Sequence, residues 1–346
     1  MRICAILTLV AVAAITLPTH ATMHTVDVNG GGDFENIWGA ITASVSGDTI
    51  LVAPGTYAGP ENRDMNPAGK NIVFLAEGGG RIPVIIDCEG QSRAFDFSSG
   101  ENDSTLVRGF TIINGDDSAG GGFRAFTASP TIEDCTFLDC GSNSNGGALY
   151  LYQSTSAVSG CIFRGNTGSD RGGAVCTYQT AATFTWCLFD ENMVANPNPP
   201  GSSGGAFFIT SSSDHIEFCT LVENDLDQIV VNGSDADVRI ANCVIANSPS
   251  GAPVAIISSG VAMATHCVVF GNAAGDSLEC GHVSNIYHDP LFCDDLADDY
   301  TLCDDSFAVY YNNMWGEPIG AYDSGCEPCG TPVEEATWGA VKALFR

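Results

Sequence analysis

Val158-Ser159-Gly160-Cys161-Ile162-Phe163-Arg164-Gly165-Asn166 returns 26 residues later as Phe184-Thr185-Trp186-Cys187-Leu188-Phe189-Asp190-Glu191-Asn192. Working outward, the same pattern surrounds Cys135, Cys219, Cys243 and Cys267. An apolar residue stands three before each cysteine: Ile132, Val158, Phe184, Ile216, Ile240 and Ala264. A large apolar residue stands two after: Phe137, Phe163, Phe189, Leu221, Ile245 and Val269. Asparagines follow at Asn166, Asn192, Asn224, Asn247 and Asn272. Self-similarity at a period of a few tens of residues marks a stacked-repeat architecture.

The unit has a definite physical reading. Side chains alternate along a strand, so a cysteine and the residue two further on share a face. The residue three before breaks that parity unless a bend intervenes, and pairs such as Ser159-Gly160 and Ala241-Asn242 suit a corner. A Gly pair marks a second corner, at Gly121-Gly122, Gly146-Gly147, Gly172-Gly173 and Gly204-Gly205. Each pair leads into a third short apolar run, such as Ala148-Leu149-Tyr150-Leu151. Three short strands per unit make one coil, and stacked coils pair each strand with its counterpart at ~4.8 Å per rung. Cysteine suits a small buried apolar position, and asparagine suits a left-handed turn. The fold class is therefore all-β, a right-handed parallel β-helix, with handedness taken from the crossover rule. The periodic region runs from Ile50 to Phe270, roughly nine coils of ~25 residues.

Solenoid ends need covers. Phe34, Ile37 and Ile41 fall at helical spacing behind Asp33, which predicts an N-terminal capping helix with Asp33 as N-cap. Met1-Arg2, the apolar run Ile3–Leu17 and a small residue at Ala21 predict a signal peptide over 1–21 and bacterial export. The β-helix domain with its caps then spans 22–325, and 326–346 forms a linker and short amphipathic tail. In that tail Trp338, Val341, Leu344 and Phe345 lie at helical spacing, suited to docking on the last coil.

The 346 residues carry 41 acidic against 12 basic side chains, a net charge of −29. That excess argues against nucleic acid and anionic lipid as partners. A monomer is expected, without a membrane span once the signal is removed. The chain has 15 cysteines, and export implies an oxidising compartment. The ladder cysteines are expected as buried thiols. Cys280, Cys293, Cys303, Cys326 and Cys329 crowd the C-terminal region, where disulfides are expected, with Cys293–Cys303 the first choice for stapling an irregular cap.

At this point the chain resembles a known group. Gly47-Asp48-Thr49-Ile50-Leu51-Val52-Ala53-Pro54-Gly55-Thr56-Tyr57 is similar to the first coil of bacterial secreted β-helix repeat proteins of the pectin-lyase-like superfamily. Asp289-Pro290-Leu291-Phe292-Cys293 and Pro318-Ile319-Gly320-Ala321 resemble the group's closing segment. The resemblance implies the fold; that fold hosts lyases, hydrolases, esterases and adhesins alike. The enzymatic motifs of the group are missing. There is no Arg-x-Pro-x-x-Arg, no Arg-Ile-Lys and no Gln-Asp-Thr, and Gly281-His282 continues with Val283.

Three sets of residues are candidates for chemistry. Arg164, Asp190, Glu191 and Glu223 fall on successive coils and would meet on one outer wall, as acid–base or cation-assisted sugar chemistry requires. Tyr150, Tyr152, Tyr178 and Phe208 occupy similar positions after the Gly pairs and would form an exposed strip for stacking sugars. Asp294, Asp295, Asp298 and Asp299 are candidate Ca²⁺ ligands, without EF-hand spacing. The leading expectation is a secreted or cell-surface, non-catalytic binder of glycan or another extracellular macromolecule. The alternatives are a polysaccharide lyase or glycoside hydrolase, and a structural or adhesive solenoid.

Overall fold

A computed structural model describes residues 21–326, apart from 79–82, 198–202, 279, 295–297, 310–311 and 314. The signal-peptide assignment and the tail beyond Cys326 lie outside the described residues. Three long sheets build a parallel β-solenoid. The first has eleven strands, from Met23–Val26 to Gly281–Val283. The second has nine, from Gly55–Tyr57 to Val268–Phe270, and the third has seven, from Phe95–Phe97 to Val254–Ile257. In each sheet a strand pairs in parallel with its counterpart one coil away. Eleven rungs thus extend the solenoid in both directions beyond Ile50–Phe270, because Met23–Val26 pairs with Thr49–Val52 and Met263–Thr265 with Gly281–Val283.

The stacking places like over like. Phe137, Phe163 and Phe189 are in register on adjacent rungs. Their rings stack inside the cylinder at 4.9 and 4.8 Å, nearly parallel. Full burial of each such ring contributes about 1.5–3 kcal/mol. The cysteine column Cys135–Cys161–Cys187–Cys219–Cys243–Cys267 is buried between the first and second sheets. Each thiol donates to the carbonyl two residues back, as Cys161 Sγ does to Ser159 O at 3.4 Å. Burial pushes the Cys161, Cys219 and Cys267 thiols up, which keeps them as unreactive, core-filling groups.

The residue before each cysteine turns the corner in the left-handed region: Asp134, Gly160, Trp186, Phe218, Asn242 and His266. A second left-handed corner follows the second sheet, with Asp139, Gly165, Glu191 and Glu223 in successive rungs. The next residue points inward, and there the asparagines form a ladder. Asn166 Nδ2 donates to Asn192 Oδ1 at 2.9 Å, and Asn192 Nδ2 to Asn224 Oδ1 at 2.8 Å. The same amides cap backbone carbonyls, Asn192 reaching Phe163 O at 2.9 Å. Asn247 is the exception, since it takes the corner itself and Ser248 the inward position. The Gly pairs are needed for close approach: a Cβ on Gly147 would run into the Gly173 carbonyl of the next rung.

The N-terminal helix is present but begins later than expected, at Ile37–Ala43. Its N-cap is Asn36, whose side chain accepts from Gly39 N at 2.8 Å. Asp33 is not the cap, because Thr25 claims its carboxylate through both N–H and hydroxyl, at 2.9 and 2.8 Å.

The C-terminal segment forms a three-stranded sheet of Phe292–Asp294, Asp299–Cys303 and Ser324–Cys326. It lies along the outer face of the second sheet. Leu302, Val309 and Ile319 bury Val244, Ala246 and Val268, while Tyr300 packs on Leu188 and Val222. These strands are therefore buried on both faces. The disulfide joins Cys293 to Cys326, not to Cys303. The nearness of Cys303 in sequence misleads: the folded strands bring all three sulfurs together, and Cys303 Sγ stands 3.5 Å from Cys326 Sγ.

Candidate functional site

Arg164 and Asp190 occupy the same position on adjacent strands of the second sheet, at the edge of the covered face. The structure brings them together as an ion pair, yet not on an open wall, because both are sealed beneath the C-terminal segment. Tyr300 donates its hydroxyl to Asp190 Oδ1 at 3.0 Å, and Asp298 Oδ1 lies 3.1 Å from the guanidinium. Glu191 approaches Arg164 Nε at 3.6 Å from the rim, where it is 47% exposed. Glu223 takes the same left-handed corner one rung further and is half-buried. Burial lifts the Asp190 carboxyl to about 7 against the opposing pull of Arg164. Burial also pushes the Tyr300 hydroxyl up. No polymer can reach Asp190 without lifting the segment, so the group fastens chain to chain. Among the calcium candidates, Asp298 faces Arg164, and Asp299 accepts from Thr301 N and Oγ1 at 3.2 and 2.5 Å. Asp294 ends the strand beside the disulfide, and Asp295 lies outside the described residues.

The outer face of the third sheet carries the aromatic strip. Phe126, Tyr152 and Tyr178 are in register on three rungs. Their rings stack at 4.5 and 5.3 Å within 6° of parallel. Tyr178 is 37% exposed and Phe126 40%. Tyr152 is sandwiched, whereas Phe126 and Tyr178 each keep one ring face clear of the stack. The sequence singled out Tyr150 and Phe208 as well, and these behave differently. They share a second column with Asp96, Arg124 and Cys176. Phe208 is buried, with the Arg171 guanidinium 4.9 Å above its ring, so it is not part of an exposed strip. Tyr150 is half-buried, and burial pushes its hydroxyl up to about 12. Phe126 was missed, although it stands 26 residues before Tyr152 as Tyr152 stands before Tyr178.

Polar groups line the strip. Gln153 Nε2 donates to Gln179 Oε1 at 3.0 Å at the adjoining corner. Arg124 grips Asp96 through two bonds, at 2.7 and 2.9 Å, which leaves this end of the strip electrically matched. Arg93 extends the network, 2.6 Å from Asp117. Elsewhere on the surface, a cleft of about 500 Å³ lies between the Asn114/Asp139 corner and the strand Gly141–Asn145, with Asp116 and Thr167 also on its walls but no aromatic ring.

A separate aromatic pair sits on the corner between the first and second sheets. Trp186 stacks on Phe218 at 4.6 Å and 7°. Trp186 is 44% exposed. Both residues are left-handed, with φ of +57° and +53°. That conformation costs an L-residue about 1–2 kcal/mol. A stacked pair returns about 0.5–1.5 kcal/mol.

No protein-family profile and no curated protein matches the sequence. Solved structures do. The crystal structure of pectate lyase Pel9A superposes over 89% of this chain and 98% of its own, with a TM-score of 0.51 and 12% identity. The chain shares that structure's fold, a parallel β-helix. A rhamnogalacturonan lyase also aligns, over 79% of this chain and 90% of its own, with a TM-score of 0.37 and 13% identity. At 12% identity the likeness to the pectate lyase is one of fold. In this β-helix no helix among the described residues is long and apolar enough to cross a membrane.

Proposed function

We propose that this β-helix is a secreted or cell-surface protein that binds a neutral glycan, without cleaving it, along the outer face of the third sheet. The observation that carries this reading is the stacked Phe126–Tyr152–Tyr178 ladder, whose two end rings, Phe126 and Tyr178, are exposed. Ring faces and ring edges offer apolar contact to sugar C–H groups, and the Gln153–Gln179 amides offer partners to hydroxyls. Rungs repeat at ~4.8 Å, a spacing comparable to one sugar unit of an extended chain. Neutrality of the ligand follows from charge: the protein is strongly acidic and Arg124 is already paired, so a polyuronate would meet repulsion. The absence of turnover is supported by the sealed Arg164–Asp190 pair, the one place where the expected acid–base residues converge. Export is supported by the apolar run Ile3–Leu17. Co-sedimentation with insoluble neutral polysaccharides tests the reading. The wild type should pellet with one of them, and a Tyr152→Ala/Tyr178→Ala variant should stay in the supernatant. Equal pelleting of both proteins would overturn it.

A further inference from the structure

We infer that the Trp186–Phe218 corner is a second carbohydrate site, separate from the third sheet, which takes a single neutral pyranose ring flat against the free face of Trp186. The corner column reads Asp134, Gly160, Trp186, Phe218, Asn242 and His266 along the axis, each residue donating its backbone N–H to the next rung. All six are left-handed, and the His266 ring packs on Trp315. Asp, Gly and Asn are at ease in that conformation, whereas Trp and Phe are strained there. Small residues satisfy this corner at three of the six rungs. Two successive rungs nevertheless carry large rings, and Trp186 stands out in solvent where it fills no core. The stack on Phe218 repays only part of the strain of two left-handed ring residues, and the remainder is a cost that a binding role accounts for.

The surroundings say what fits. One face of Trp186 is covered by Phe218. The other looks toward the rung of Gly160, which has no side chain to cover it. One rung further, Asp134 leans over Gly160, so closely that a Cβ on Gly160 would stand 2.6 Å from Asp134 Oδ1. Arg108 holds that carboxylate, with Nε 3.0 Å from Asp134 Oδ2. The result is a slot with an indole wall, a glycine floor and a hydrogen-bond acceptor opposite. A pyranose matches it, with an apolar C–H face for the indole and hydroxyls to donate to Asp134. An organic cation is less suited because Arg108 already neutralises Asp134. A phosphate-bearing ligand would meet Asp134 and the nearby Glu133.

The test is titration of the full chain with cellotetraose, xylotetraose and mannotetraose at millimolar concentration, read by tryptophan fluorescence. At least one should give a saturable change. Trp186→Asn places at this corner the residue found at Asn242, so it should melt at the same temperature as the wild type or higher while losing the signal. Asp134→Asn keeps a residue at ease in the left-handed turn, and its affinity should fall roughly tenfold. Tyr178→Ala should leave this signal intact, which separates the corner from the third-sheet strip. A signal that survives in Trp186→Asn, silence with all three sugars, or a clear loss of stability in Trp186→Asn would each overturn the inference.

Discussion

Tyr300 reaches back 110 residues to donate its hydroxyl to Asp190, and by that bond the C-terminal segment closes over the Arg164 guanidinium. The same residues that would do chemistry on an open wall are here the fastening of a covered one. A buried pair of this kind adds little over an apolar replacement, but breaking it strands a charge. Arg164→Met should therefore cost about 3 kcal/mol in urea unfolding and expose the C-terminal segment to limited proteolysis. An unchanged midpoint and digestion pattern would show that the segment is held by its apolar contacts alone.

Asp190 also sets a pH dependence with a definite sign. Burial raises its carboxyl to about 7, above the ~3.9 of an unfolded chain. The folded state thus holds this proton more tightly than the unfolded state. The stability this group contributes is complete below about pH 4 and is lost as pH rises through about 7. Wild-type stability should fall by about 1–4 kcal/mol relative to Asp190→Asn between those limits. Parallel stability curves for the two proteins would contradict the assignment.

The disulfide closes a loop of 33 residues on the flank of the solenoid. Chain entropy assigns such a loop about 3–4 kcal/mol. Non-reducing peptide maps should recover Cys293 linked to Cys326, and Cys293→Ser should lower stability by roughly that amount. Recovery of a Cys293–Cys303 peptide would refute the pairing.

Asn192 both receives and gives in the buried ladder: it accepts from Asn166 on one rung and donates back to Phe163 O of that rung and onward to Asn224. Its removal leaves several buried polar atoms without partners. Asn192→Ala should destabilise by about 2–4 kcal/mol, seen as a lower urea midpoint with an unchanged slope. A shift below half a kcal/mol would mean that water or a neighbour replaces the amide.

The ladders were legible in the sequence because a solenoid repeats each environment at a fixed period. Cys161 and Cys187, or Phe163 and Phe189, answer to the same surroundings one rung apart. The corners were legible for the same reason, through Gly160 and Asn242. What the sequence hid was contact between unlike parts. The face of Leu188 and Val222 is closed by residues about a hundred positions away, and nothing local in the repeat announces it. Asp33 preceded an apolar helical pattern as a cap would, but Thr25, eight residues earlier, had the stronger claim on it. Trp186 escaped notice because it is a corner residue, neither inward nor outward in the alternation of a strand.

The central claim is binding without cleavage on the open face of the third sheet. Calorimetric titration with a soluble neutral glycan, followed by chromatography of the recovered sugar, tests it most directly. The account predicts saturable heat, loss of that heat in Tyr152→Ala/Tyr178→Ala, and sugar recovered at its original length. Shortened or unsaturated products that persist in the double variant would contradict it.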